Sequence, residues 1–137
     1  GEPADTAVFP YDIAWIFKHR FAPILDRYGR GREVWITEFG FPNDSLADAK
    51  EADAEQAKRL AVALRFFWSE TEKDRHGLWR LTKFFVYRLT DGQHAGRELP
   101  GYGIIHGDDL STPRPAWHEF RNFIRTHRIS DIIVSPM

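Results

Sequence analysis

The sequence predicts an α/β fold with parallel strands, and three observations carry that expectation. Two short runs rich in β-branched and aromatic residues, Glu33–Phe39 and Leu81–Leu89, read as strands. Amphipathic stretches precede, separate and follow them, so the order is helix, strand, helix, strand, helix. Apolar residues occupy both parities of the first run, as they do when both faces of a strand are covered. Strands joined through helices imply parallel pairing by right-handed crossovers.

From Asp12 to Tyr28, Ile13, Phe17, Phe21, Ile24, Leu25 and Tyr28 recur at helical spacing. Pro23 removes one backbone donor from this run, so a kink or a fresh helical start is expected there. Gly29-Arg30-Gly31 supplies residues suited to a left-handed stop. In the strand that follows, Val34, Ile36 and Glu38 share one face, and Trp35, Thr37 and Phe39 the other. Glu38 therefore ends an otherwise apolar strand.

A polar segment from Asn43 to Asp53 leads into a helix from Ala54 to about Glu72, with Ala57, Leu60, Ala61, Leu64, Phe67 and Trp68 on one face. Trp35 and Trp68 read as core. After the second strand, Thr90-Asp91-Gly92-Gln93 opens a glycine-rich loop that contains His94 and His106. Gly103-Ile104-Ile105 is a short extended piece. Ser111 to Pro115 carries the start signals of a last helix bearing Trp117, Phe120, Phe123 and Ile124. Ile132–Val134 reads as a brief strand or a docked tail.

Composition narrows the function classes. The chain is 42% hydrophobic and 15% aromatic, enough to build a core and to argue against disorder. A net charge of -1 offers no broad basic field for nucleic acid or an anionic membrane, and no apolar run approaches a membrane span. The absence of cysteine excludes disulfides and thiolate chemistry, and no His or carboxylate spacing matches a zinc site. The chain opens Gly1-Glu2-Pro3, with no Met and no visible signal peptide, so it was either trimmed or begun upstream. Two parallel strands cannot stand alone, because their faces and edges need neighbours. At roughly 30 residues per βα unit, the chain corresponds to the last third to half of a (β/α)8 barrel.

Trp35-Ile36-Thr37-Glu38-Phe39-Gly40-Phe41-Pro42 resembles the seventh-strand motif of clan A glycoside hydrolases, of the cellulase and β-xylosidase-like families. Further pieces follow in the family's order. Gln56-Ala57-Lys58-Arg59-Leu60 resembles the start of the next helix, and Phe84 to Asp91 resembles strand eight and its exit. Gly101-Tyr102-Gly103-Ile104-Ile105 and Pro113-Arg114-Pro115-Ala116-Trp117-His118 resemble the closing loop and final helix. The resemblance spans Tyr11 to Arg125. It implies that residues 1–137 are the C-terminal fragment of a single TIM-barrel domain, about strands seven and eight with flanking helices. The implied activity is retaining hydrolysis of O-glycosidic bonds in oligo- or polysaccharides, without cofactor or metal.

Under this resemblance Glu38 is the nucleophile. Phe41, Tyr87, Arg88 and Asp91 are the expected substrate-binding residues, since loop ends at this face of a barrel carry the chemistry. Retaining hydrolysis needs a second carboxyl group about 5–5.5 Å away. In the clan that group is a Glu at the end of strand four, expected upstream of Gly1, as is the aromatic that supports the nucleophile from strand six. The isolated chain is therefore expected to be inactive and to need the N-terminal part of the same barrel, or to self-associate. Blander readings stand beside these. Glu38 can be an edge carboxylate paired with an arginine, Tyr87 core, Arg88–Asp91 an ion pair, Phe41 loop packing, and His94 and His106 solvated. A non-catalytic carbohydrate-binding barrel and a half-barrel interaction module are the alternative functions.

Overall fold

The computed structural model describes residues 12–43, 48–91, 93–94, 97–98, 101–106 and 112–127. The expected tail strand Ile132–Val134 lies outside them. Elements follow in the order α1 (Ile13–Ile16), a π-helical stretch (Phe17–Phe21), α2 (Ala22–Tyr28), β1 (Glu33–Phe39), α3 (Ala49–Thr71) and β2 (Arg80–Val86). Then come β3 (Gln93–His94), β4 (Arg97–Glu98), β5 (Ile105–His106), β6 (Thr112–Pro113) and α4 (Pro115–Thr126). β1 and β2 are hydrogen-bonded neighbours. Arg80 N–H donates to the Arg32 carbonyl and Tyr87 N–H to the Phe39 carbonyl. Both strands advance by the same number of residues between these bonds, so they run parallel. The two hairpins β3–β4 and β5–β6 are antiparallel and were not foreseen.

The described residues form two compact units, to both of which β1 and α3 contribute. The first lies within Gly1–Thr37 and Arg65–Phe85. Asp12 caps α1, its Oδ1 accepting from the amides of Ala14 (2.8 Å) and Trp15 (3.2 Å). The π-helical stretch lies just before Pro23, where the missing N–H and the ring disfavour an ordinary helical continuation, and α2 restarts with Pro23 in its first turn. Gly29 closes α2, and Gly31 takes the left-handed conformation at φ 69°.

The core of this unit is aromatic. Phe17 meets Phe66, Phe67 and Trp79 edge-on, with centroids 5.7, 5.7 and 5.8 Å apart. Phe17, Phe67, Trp79 and Leu81 are buried. The Trp79 indole N–H donates to Asp26 Oδ1 at 2.8 Å, which removes the cost of burying it. The Arg75 guanidinium lies 3.7 Å from the Trp79 ring centre, and buried Glu70 pairs with both Arg75 and Lys73.

Helical spacing overstated the buried stripe here: Phe21, Ile24 and Tyr28 are more than half exposed. Trp35, expected in the core, is 49% exposed, with Lys83 Nζ 4.1 Å over its ring. The lysine covers Trp35 where a packed helix was expected.

The second unit lies within Glu38–Leu64 and Val86–Met137. Here α3 starts at Ala49, earlier than its apolar stripe suggested. Asp48 is the reason: its Oδ1 accepts from the amides of Lys50 (2.8 Å) and Glu51 (3.1 Å). Ala52, Ala57, Leu60, Ala63 and Leu64 are buried along this helix, with Phe39, Ile104, Ile105 and Ala116. α4 begins with Pro115 in its first turn, as expected.

Candidate functional site at the end of β1

β1 leaves the sheet at Glu38-Phe39-Gly40, and the chain after β2 runs beside it. Phe39 is buried, whereas Glu38, the residue before it, is exposed. Among the described residues no hydrogen bond or ion pair reaches the Glu38 carboxylate. The blander expectation, a strand-end acid held by an arginine, is therefore not met among them. The Phe39 carbonyl accepts the Tyr87 N–H at 2.7 Å. A Cβ on Gly40 would collide with the Tyr87 carbonyl, so only glycine lets these two segments approach so closely.

Tyr87 and Arg88, joined by a cis peptide, follow β2 directly. The Tyr87 ring is 36% exposed and meets the Tyr102 ring edge-on at 5.9 Å. Arg88 Nε donates to the Thr90 carbonyl at 2.5 Å, and its Nη1 lies 3.4 Å from the Tyr87 hydroxyl. Among the described residues Arg88 forms no ion pair, so its expected pairing with Asp91 is absent.

Asp91 instead faces Arg114. Its Oδ1 accepts from Arg114 Nη1 (2.9 Å) and from the Gly103 amide (2.9 Å), and its Oδ2 lies 2.8 Å from Arg114 Nη2. This is a two-pronged guanidinium–carboxylate pair, the geometry in which arginine binds most firmly. Arg114 Nη1 also donates to the Gly103 carbonyl at 2.6 Å, and its Nε lies 3.3 Å from Asp53 Oδ1 as an ion pair without hydrogen-bond alignment.

A second polar anchor comes from α3. Gln56 is buried, and its Nε2 donates to the carbonyls of Phe41 (3.0 Å), Gly101 (3.2 Å) and Gly103 (3.1 Å). Asn43 Nδ2 donates to Asp53 Oδ1 at 2.8 Å, and its amide to the Gly101 carbonyl at 3.1 Å. Phe41 is half-buried beside these groups.

Of the five residues predicted for the site, all are described. Tyr87, Arg88 and Asp91 follow one another along the exit of β2, and Glu38 and Phe41 along that of β1. Sequence reasoning did not assign Arg114, Asp53, Gln56 or Tyr102 to the site. One signal was legible: an arginine at the N-cap of α4, with no side-chain cap bond, occupies a place where Ser, Thr, Asp or Asn is usual. Such a residue is there for other partners. The side chains of His94 and His106 lie outside what is described.

Among the described residues no group of three or more His, Cys, Asp or Glu can hold a metal ion, and no helix is long and apolar enough to cross a membrane. No protein-family model, curated protein or solved structure matches the chain.

Proposed function

We propose that this chain supplies the nucleophile half of a retaining O-glycoside hydrolase site within a (β/α)8 barrel acting on oligo- or polysaccharides. The observation that carries the reading is the Glu38 carboxylate, exposed at the C-terminal end of a parallel strand and free of partners among the described residues. An acid that merely shaped a strand end would be expected to hold an arginine or an amide. The motif around Glu38 supports the same role.

In this reading a Glu38 oxygen attacks the anomeric carbon while the bond from that carbon to the leaving oxygen breaks. A second carboxyl group, from a strand outside this chain, protonates the leaving oxygen. The same group then takes a proton from water, whose oxygen attacks the anomeric carbon and releases Glu38 as carboxylate. Tyr87 and Phe41 offer ring faces to the sugar, and Arg88 offers guanidinium donors. Asp91 contributes by holding Arg114 and the Gly103 loop.

The test uses the full-length protein and a 2-fluoro glycoside with an activated leaving group. The expected result is a glycosyl adduct on the peptide containing Glu38. Glu38→Ala should lower hydrolysis by about 10³-fold or more, and azide should restore turnover to a glycosyl azide of inverted configuration. An adduct on another residue, or a Glu38→Gln variant that still turns over normally, overturns the reading. Hydrolysis of aryl glycosides by the isolated 137-residue chain would overturn the half-site assignment.

A further inference from the structure

Gln56 stands out among the residues that the chemistry above does not use. It is one helical turn after Asp53 on α3, is only 2% exposed, and directs one nitrogen at three backbone carbonyls. An amide nitrogen carries two hydrogens, so three acceptors share two donors. The orientation of the amide is settled by electrostatics. With the amide flipped, Oε1 would face three carbonyl oxygens with no proton between them. Its actual Oε1 is buried without a partner among the described residues. The side chain therefore tolerates one orphaned acceptor in order to satisfy three carbonyls, a cost justified only if those carbonyls must be held.

The carbonyls belong to two segments at the strand-end site. Phe41 lies three residues beyond Glu38. Gly101 and Gly103 flank Tyr102, whose ring meets Tyr87 and whose carbonyl accepts the Arg88 amide at 3.4 Å. The Gly101–Gly103 loop is also gripped through its backbone by Asn43, Asp91 and Arg114. Asn43, on the segment that follows the nucleophile strand, joins that segment to Gly101 by a single backbone bond, whereas Gln56 reaches both segments from α3 and is the side chain that holds Phe41 itself.

We propose that Gln56 is a positioning residue for substrate binding: its single amide fixes Phe41 relative to Tyr102 and Tyr87, and so sets the spacing of the aromatic surfaces on which a sugar chain lies. This rests on the reading of Glu38 as nucleophile. The reacting carboxylate is not itself held by Gln56, so the residue acts on substrate affinity and selection rather than on the chemical step.

The experiment compares wild type, Gln56→Met and Gln56→Glu in the full-length protein, using an oligosaccharide and a small activated 2-fluoro glycoside. Met keeps the length and removes the donor. Glu is isosteric but puts a carboxylate oxygen against the carbonyls unless it is protonated. The expected outcome for Gln56→Met is a KM for the oligosaccharide raised roughly 10–100-fold, with kcat and the rate of labelling by the small glycoside within about threefold of wild type. Amide exchange at Asn43 and Gly103 should speed up, while α3 and α4 stay protected.

For Gln56→Glu, the KM defect relative to wild type at the same pH should ease as pH falls, because the protonated acid regains one donor. The nearby charged groups, Arg114 and Asp91, which also bond Gly103, and Asp53, one turn earlier on α3, are the same in both proteins. An unchanged KM with unchanged loop amides overturns the proposal. So does an equal fall of kcat and labelling rate together with loss of protection in α3 and α4, the signature of a merely structural residue. If the Met variant does not fold, the Glu variant is judged by the same readouts. Absence of a Glu38 adduct in the wild type removes the nucleophile reading itself. An adduct in all three proteins with equal KM removes only the role of Gln56.

Discussion

Each of the two units is held together internally by different physics. In the first, large rings do the work: Phe17, Phe66, Phe67 and Trp79 meet edge-on, and charged groups such as Arg75 and Glu70 close around them. In the second, small residues line α3, and the loops are fastened by polar side chains aimed at backbone carbonyls, chiefly Gln56 and Arg114. Aromatic burial is strong but undirected, and it stabilises a scaffold. Hydrogen bonds to particular carbonyls add little net energy, yet they fix positions to a few tenths of an ångström. The polar unit is the one that carries Glu38, Phe41, Tyr87 and Asp91, and a binding surface built on loops needs that kind of fastening.

Substitutions can break this contrast in order of effect. Trp79→Ala removes a fully buried indole and the bond it donates to Asp26, and should destabilise by about 3–5 kcal/mol, measured as a lower urea midpoint. An effect under about 1 kcal/mol would mean that the rings are not what holds the first unit. Arg114→Met breaks the pair with Asp91 and frees the Gly103 carbonyl. Because Asp91 and Asp53 keep some solvent contact, the expected loss is about 2–3 kcal/mol, with amide exchange rising first at Gly103.

Glu38→Gln probes the opposite limit. An exposed carboxylate without partners among the described residues should change stability by less than about 0.5 kcal/mol, while activity collapses as stated above. A marked loss of stability would instead assign Glu38 to the scaffold.

The smallest effect is electrostatic. The Thr82 hydroxyl, donating to Glu33 at 2.5 Å, holds the Glu33 carboxyl below its ordinary pKa, with Trp35 and then Lys83 and Arg80 adding to it. A lowered folded-state pKa contributes stability that is present above the unfolded value and is lost as pH falls through the folded one. Thr82→Val should return Glu33 toward its ordinary value in an NMR titration and flatten that part of the acid limb. No movement of the Glu33 titration would show that the hydroxyl is not the cause.

Local elements were legible where local forces decide them. β1 has the boundaries its β-branched run predicts, Pro23 falls in a first helical turn, and Gly31 takes the left-handed turn. Boundaries moved where a side chain captured the backbone, as Asp48 does at the start of α3, or where a strand stopped short of its apolar run, as β2 does at Val86 with the Tyr87 amide still bonded to Phe39. Burial was read less well. Helical spacing places Phe17 and Tyr28 on one stripe, yet Phe17 is 2% exposed and Tyr28 70%. Periodicity marks which residues can face a neighbour, not whether a neighbour is present.

The sequence by itself determined the alternation of helices and strands, the parallel sense of the pair and the place of Glu38 at a strand end. These follow from propensity, period and connection length, all of which act over a few residues. Only the tertiary structure decided that Asp91 belongs to Arg114, that Arg88 stands outside any ion pair among the described residues, and that Gln56 answers three carbonyls. Those partners are 15 to 47 residues apart along the chain. Nothing in local pattern ranks one distant acceptor over another until folding brings a single set within hydrogen-bond reach.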